Sequence, residues 1–264
     1  MQRHLAARNI TEGVIWKQLL SFFFPILLGT FFQQMYNTVD TIVVGRFVGT
    51  QALAAVGATG SVTFLFFSVC NGISSGAGIV TSQFFGADDP EKTKQAIANS
   101  AYVMMAAALV MGTAAFLAAP RLLVLMGTPE ELLPLSLSYI RMTCVGVPLV
   151  AVYNYSAAML RALGDSKTPL YFLICSCVLN IGLDLLFVTV FRMGVFGAAL
   201  ATVIAQAISA VACFLKLMRM GDIFDLNRST VRLDKNVAKQ IITIGVPSGI
   251  TQAIMSLSMM VVQS

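Results

Sequence analysis

Charge is scarce in this 264-residue chain: 11% of its residues are Asp, Glu, Lys or Arg, against 57% hydrophobic. A water-soluble domain carries about 25% charged residues, so a soluble globular fold is excluded and a membrane-embedded one is implied. The mean hydropathy of +0.82 agrees. Histidine is scarcer still. His4 is the only one, and it lies in the N-terminal tail, which removes most hydrolytic and metal-dependent chemistry and argues against an enzyme. The five cysteines, Cys70, Cys144, Cys175, Cys177 and Cys213, all fall inside apolar runs. Cys175 and Cys177 point about 200° apart on a helix and form no metal clip, so all five read as small packing residues. The net charge of +5 is spread between apolar spans rather than gathered in a patch, which argues against nucleic acid as a partner. No cleavable leader is evident either, because the first apolar run is too long for one and reads as a retained helix.

Long apolar runs dominate what remains. A spanning helix needs about 20 apolar residues, and six such runs are predicted at about 19–45, 53–85, 97–119, 132–160, 169–191 and 195–218. Pro25 and Pro148 are expected to kink the first and fourth, and Pro120 to close the third. Gly72 and Gly76 in the second form a small-xxx-small packing signature. Residues 1–218 therefore read as a six-helix unit of an all-α polytopic membrane protein, 219–236 as a polar connection, and 237–264 as a further helix. With the N-terminus in the cytoplasm, 13 of the 17 basic residues fall inside, Arg3, Arg8, Arg228 and Arg232 among them; only Arg46, Arg121, Arg141 and Arg192 fall outside. The positive-inside bias thus predicts a cytoplasmic N-terminus.

The segment Lys17–Pro25 recurs as Lys239–Pro247 at an offset of 222 residues, with only Phe23 against Gly245 dissimilar. The repeat begins at the start of a span. The seventh helix is therefore expected to be the first of a second six-helix unit of the same orientation, a parallel repeat of the kind transporters use, and the chain to be part of a longer one.

Few polar residues interrupt the spans. Asn180 and Asp184 are four apart, hence on one face of a helix. A carboxylate at membrane depth costs at least ~2.5 kcal/mol, which leaves two readings: a polar clamp between helices, or a cation or proton site. Depths counted from the flanking arginines at ~1.5 Å per residue place Asp40 about 9 Å, Asp184 about 12 Å and Thr202 about 15 Å below the outer surface, with Asn180 one turn deeper. Two carboxylates, an amide and a hydroxyl are hard oxygen donors suited to Na⁺ or a shared proton. Gln34 and Asn37, three apart, either line a cavity or clamp a neighbouring helix. Tyr153 and Asn154 either border the cavity or anchor the interface.

Taken together, Pro25 with Met35–Asp40, the Gly45-Arg46 and Leu53–Gly57 segment, the Gly86-Ala87 turn, Leu160–Asp165, Asn180-xxx-Asp184 and Gly197–Thr202 resemble the multidrug and toxic compound extrusion (MATE) transporters along the whole chain. The resemblance implies the N-terminal lobe of a twelve-helix, two-lobe antiporter, with the seventh helix begun. It implies a coupling site at Asp40, Asn180, Asp184 and Thr202, with Tyr139 beside the cavity. The expected cargo is amphipathic or cationic drug-like compounds exchanged for Na⁺ or H⁺ across the plasma (inner) membrane. The lipid bilayer is the only other partner expected, with no cofactor and no obligate protein partner.

Three rival classes make demands that the sequence does not meet. A lipid-linked oligosaccharide flippase of similar architecture needs arginines in its cavity, and helices 1, 2, 5 and 6 carry none internally. A seven-helix receptor or retinal protein requires the opposite orientation, or a lysine after Gln240. A membrane-embedded enzyme needs a constellation at depth that is not visible.

Overall fold

The computed structural model describes residues 14–220 and 233–263. His4, Arg3, Arg8, Arg228, Arg232 and most of the connection at 219–236 lie outside the described residues. The rest is helical: α1 (Ile15–Phe47), α2 (Thr50–Gly86), α3 (Pro90–Leu125), α4 (Leu133–Ala162), α5 (Lys167–Asp184), a π-helical segment (Leu185–Val190), α6 (Gly194–Met218) and α7 (Lys235–Gln263). The first six helices, counting α5 with its π-helical extension, are long and apolar enough to cross a bilayer, so the chain is an all-α polytopic membrane protein. Short turns make them alternate in direction. The face where α1 begins is called here the N-terminal face.

Boundaries of two helices differ from expectation in ways that packing explains. α3 begins at Pro90 and runs through Pro120 to Leu125. Pro120 removes one backbone hydrogen bond, but the turn beyond it is anchored by Leu123, fully buried among Val62, Ala119 and Ile140, so packing carries the helix past the proline. α5 begins at Lys167, capped by Asp165, whose carboxylate accepts from the Thr168 N–H at 3.0 Å and the Thr168 hydroxyl at 2.6 Å. Its α-helical hydrogen bonding ends at Asp184, where the wider π turns start. Among the cysteines, Cys70, Cys144, Cys177 and Cys213 are buried, whereas Cys175 is exposed. That face of α5 looks outward, so Cys175 is not a packing residue.

The main core lies between α2, α3, α4 and α7. Met104, Met159, Leu160, Leu163 and Ile241 are almost fully enclosed there, and the Tyr155 hydroxyl donates to Ile97 O at 2.9 Å. α4 also packs along α6, and α1 lies on the flank of α5. Much of α1 is uncovered, with Leu19, Phe23, Leu27 and Phe31 exposed. The repeated segments Lys17–Pro25 and Lys239–Pro247 are both helical, each with its proline inside the helix.

Asp89 caps α3 by accepting from the Lys92 N–H at 3.0 Å, with Pro90 in the first turn. That hydrogen bond, assisted by the Lys92 ammonium, holds the carboxyl below its usual 3.8. The fold therefore favours the ionised form, and the cap is complete above the ordinary carboxylate range and lost as pH falls through the lowered value. Asp89→Ala is expected to speed amide exchange at Lys92 and Thr93 relative to wild type at neutral pH, and Asp89→Asn, which can still cap, to do so far less. Equal exchange in all three would show that the cap does not hold this end.

Candidate functional site

The site forms where α1, α5 and α6 converge near the face opposite the N-terminal one. At ~1.5 Å per residue, Asp40 lies about 10 Å from the end of α1, Asp184 about 9 Å from the end of the π segment, and Thr202 about 12 Å into α6. Asp184 and Asn180 are fully buried and Asp40 is 7% exposed. The apolar wall around them comes from Val43, Val44, Val188, Val195 and Ala198.

The α-helical spacing of Asn180 and Asp184 puts both side chains on one face. With its amide oriented to satisfy both neighbours, Asn180 donates to Asp184 Oδ2 at 2.9 Å and accepts from the Thr202 N–H at 3.3 Å. In the reverse orientation its Nδ2 reaches only Thr202 Oγ1, at 3.5 Å. Asn180 thus orients Asp184 and ties α5 to α6. The Thr202 hydroxyl donates to Ala198 O at 3.0 Å, so towards its other neighbours it can only accept. The carboxyl groups of Asp40 and Asp184 face one another within hydrogen-bonding reach. Yet Asp40 Oδ1 and Asp184 Oδ1 are buried with no hydrogen-bond partner. Two carboxylates this close in apolar surroundings repel when both are ionised. The arrangement therefore suits a proton shared between them or a cation held by the free oxygens.

Two further groups complete the centre. Tyr36, one helical turn before Asp40, is buried with its hydroxyl unpartnered, and it lies within electrostatic range of Asp40, Asp184 and Tyr139. Sequence reasoning passed over Tyr36, although its spacing from Asp40 was the available signal. Tyr139 of α4 lies within electrostatic range of the same two carboxyls. The π segment begins immediately after Asp184, and such wide turns are frequent at functional sites. Nothing in the local composition marks it.

The other cavity candidates are dispersed. Gln34 and Asn37 are exposed and bonded to each other, Asn37 Nδ2 donating to Gln34 Oε1 at 3.4 Å. Tyr153 is buried and its hydroxyl donates to Pro169 O at 3.4 Å. Asn154 Nδ2 donates to Asn71 Oδ1 at 2.9 Å, and its carbonyl accepts from Ser74, a polar link between α4 and α2. An apolar recess of about 230 Å³ between α3 and α4, lined by Gly112, Phe116, Cys144 and Pro148 among others, lies apart from the carboxyls.

Six apolar spans around a buried pair of carboxyls define a polytopic membrane protein of the helical-bundle class. Residues 25–186 match the sequence profile described as MatE. Along 98% of its length the chain is 31% identical to "Probable multidrug resistance protein YpnP" of Bacillus subtilis (strain 168), and it spans 58% of that relative. It is 24% identical, over 92% of its length, to "Multidrug export protein MepA" of Staphylococcus aureus (strain MRSA252), spanning 54% of it. A solved outward-facing multidrug resistance MATE family transporter of the MOP superfamily superposes on 98% of the chain with a TM-score of 0.89 at 23% identity, and the chain covers 57% of it. The chain belongs to the multidrug and toxic compound extrusion family, and α1–α6 form its N-terminal six-helix lobe, followed by α7.

Proposed function

We propose that this chain is the coupling lobe of a secondary antiporter that exports amphipathic, often cationic, drug-like compounds in exchange for Na⁺ or H⁺. The observation that carries the reading is the pair of buried carboxyls, Asp40 and Asp184, facing one another with an unpartnered oxygen on each. A cation or proton arriving there neutralises the pair and removes its repulsion, which is a differential interaction able to bias the lobe between two states. Asn180 and Thr202 orient the pair. Gln34, Asn37 and Tyr139 are assigned to the border of the substrate path, with Tyr153 and Asn154 supporting it from behind. No cofactor beyond the coupling ion, no enzymatic step and no protein partner enters this mechanism.

The N-terminal face is proposed to be cytoplasmic and the membrane to be the plasma (inner) membrane. Supporting the orientation, Lys17, Lys92, Lys94, Arg161, Lys167, Lys216, Arg219, Lys235 and Lys239 stand at helix ends on that face, against Arg46, Arg121, Arg141 and Arg192 towards the other. A flippase for lipid-linked oligosaccharides is disfavoured because α2 carries no Lys or Arg and those of α1, α5 and α6 stand near helix ends, so these four helices offer no interior cation for a pyrophosphate. The test is accumulation of a fluorescent cation in cells expressing the full reading frame, with Na⁺ and external pH varied separately. Accumulation below the vector control, restored by collapsing one of the two gradients, supports antiport and names the ion. Accumulation equal to the vector under every gradient overturns the export reading.

A further inference from the structure

The recess of about 230 Å³ between α3 and α4 exists because both helices lack bulk there. Gly112 has no side chain, Ala108 and Cys144 are small, and Pro148 supplies no N–H to Cys144 O. Its volume falls below the roughly 300–1,000 Å³ of a small-molecule site. It is open along one side, where Leu109 and Val145 are 55% and 63% exposed. At ~1.5 Å per residue α3 is about 54 Å long and α4 about 45 Å, against a hydrocarbon core of about 30 Å. With both helices centred on that core, Arg141 lies about 5 Å and Phe116 about 2 Å inside its boundary, on the side opposite the N-terminal face. Ala108 and Pro148, at the other end of the recess, stand at the middle of their helices and hence of the bilayer. The recess therefore runs the depth of one leaflet's acyl chains.

Its rim carries a charge. The Arg141 guanidinium lies over Phe116, with Cζ 5.6 Å from the ring centroid, and Phe116 is also part of the recess wall. The one ion pair among the described residues joins Lys92 to Asp89, so Arg141, itself exposed, has no carboxylate partner there. An unpaired arginine on the lipid-exposed part of a span is costly and rare. Stacked on the ring, it still presents its N–H edge, which matches a pair of phosphate oxygens. Basic pockets between spanning helices hold anionic lipid headgroups in this way. We propose that the recess holds one acyl chain of an anionic phospholipid from the leaflet opposite the N-terminal face, with the lipid phosphate paired to Arg141. The second six-helix unit does not compete for this place. α2, α3 and α4 pack mutually and α7 rests on α2, so the outer groove between α3 and α4 faces away from α7. By the repeat of Lys17–Pro25 at Lys239–Pro247, α1 is expected to meet the second unit's counterpart of α2 in the same manner, which puts the junction of the units along α1 and α2. The lipid site does not depend on the antiport reading.

The experiment uses the full reading frame with the native cysteines replaced by alanine and Leu109→Cys, carrying a bimane fluorophore, as the only thiol. The protein is placed in phosphatidylcholine vesicles holding a small fraction of a lipid with a nitroxide on its acyl chain, either phosphatidylglycerol or phosphatidylcholine. Nitroxide phosphatidylglycerol is expected to quench the label several-fold more steeply than nitroxide phosphatidylcholine. Unlabelled phosphatidylglycerol should reverse the quenching, and inorganic phosphate should not. Val178→Cys, exposed near the middle of α5, is the matched position and should be quenched alike by both lipids. Arg141→Gln should remove the preference at Leu109→Cys. Equal quenching there by both lipids would mean contact with bulk bilayer alone and overturns the site. No quenching by either, with normal quenching at Val178→Cys, would show that another part of the protein covers the recess, and overturns it too. A preference that survives Arg141→Gln overturns the pairing, and reversal by inorganic phosphate makes Arg141 a plain anion site instead. The comparison of the two lipids needs no change at Arg141, so it decides even if Arg141→Gln does not fold.

Discussion

Asp184→Asn is expected to abolish export while leaving the protein in the membrane at its normal level. Asparagine keeps the size of the side chain and its bond to Asn180, whose amide can turn to present either an oxygen or an N–H. What it loses is the charge, and with it the ability to bind and release a proton or to pair with a cation. Initial export rates should fall at least ~10-fold, a change of ~1.4 kcal/mol in the limiting barrier. Because a carboxylate at membrane depth is itself destabilising by ~2.5 kcal/mol or more, thermal stability in detergent should stay the same or rise. Asp40→Asn should behave alike, and the double variant no worse than either single one, since the two carboxyls act as a unit. Export retained at half the wild-type rate or better by Asp184→Asn, at equal membrane level, would make Asp184 a polar clamp. A loss of both export and folded protein would say the same by another route.

Gly146→Leu is expected to prevent the lobe from assembling. Gly146 is buried on α4, and a methyl group there would lie 2.6 Å from Val203 Cγ2 and 3.5 Å from Cγ1 on α6. Valine in a helix holds one χ1 rotamer about nine times in ten, so it does not swing aside. Overpacking of this kind typically destabilises by 1–3 kcal/mol for small additions, and a leucine adds three more carbons that must displace α6. Val203 is the neighbour of Thr202, so the displacement reaches the carboxyl pair as well. Gly146→Ala should lower the melting temperature in detergent, and Val203→Ala in the same molecule should restore most of it by removing the methyl that collides. Gly182→Ala is the matched control. Among the described residues nothing outside its own helical turn lies within 4 Å of a methyl added there, so it should be neutral or gain up to ~1 kcal/mol of helix propensity. Equal effects at Gly146 and Gly182, or no rescue by Val203→Ala, would show that the α4–α6 contact does not set the stability of the lobe.

These two glycines show how far local rules reach. Sequence alone cannot rank them, because the sign of each substitution depends on an atom contributed by another helix. The same holds for Gly72 and Gly76: their spacing flagged a close contact, but its partner, Gly245 and Gly249, lies some 170 residues further along the chain. A tyrosine such as Tyr36 on an apolar helix reads as packing until the carboxyls near it are known. Asn154 reads locally as a cavity or interface residue, because nothing nearby in sequence shows that Asn71 and Ser74 lie opposite it. Pro120 looked like a helix end, and only the burial of Leu123 explains why the helix goes on.

What the sequence determined by itself was everything that depends on one helix and the bilayer. The number and approximate extent of the spans follow from apolar length, the repeat of Lys17–Pro25 from direct comparison, and the shared face of Asn180 and Asp184 from 3.6 residues per turn. Even the common depth of Asp40, Asp184 and Thr202 followed from counting along single helices. The tertiary structure alone decided which helices turn those faces towards one another: the meeting of the two carboxyls, the π turns after Asp184, and the close contact of Gly72 and Gly76 with Gly245 and Gly249. The physical reason is that rise and turn are properties of the local backbone. Azimuth and contact between helices come from close packing of side chains distant in sequence, where one methyl group more or less changes the answer.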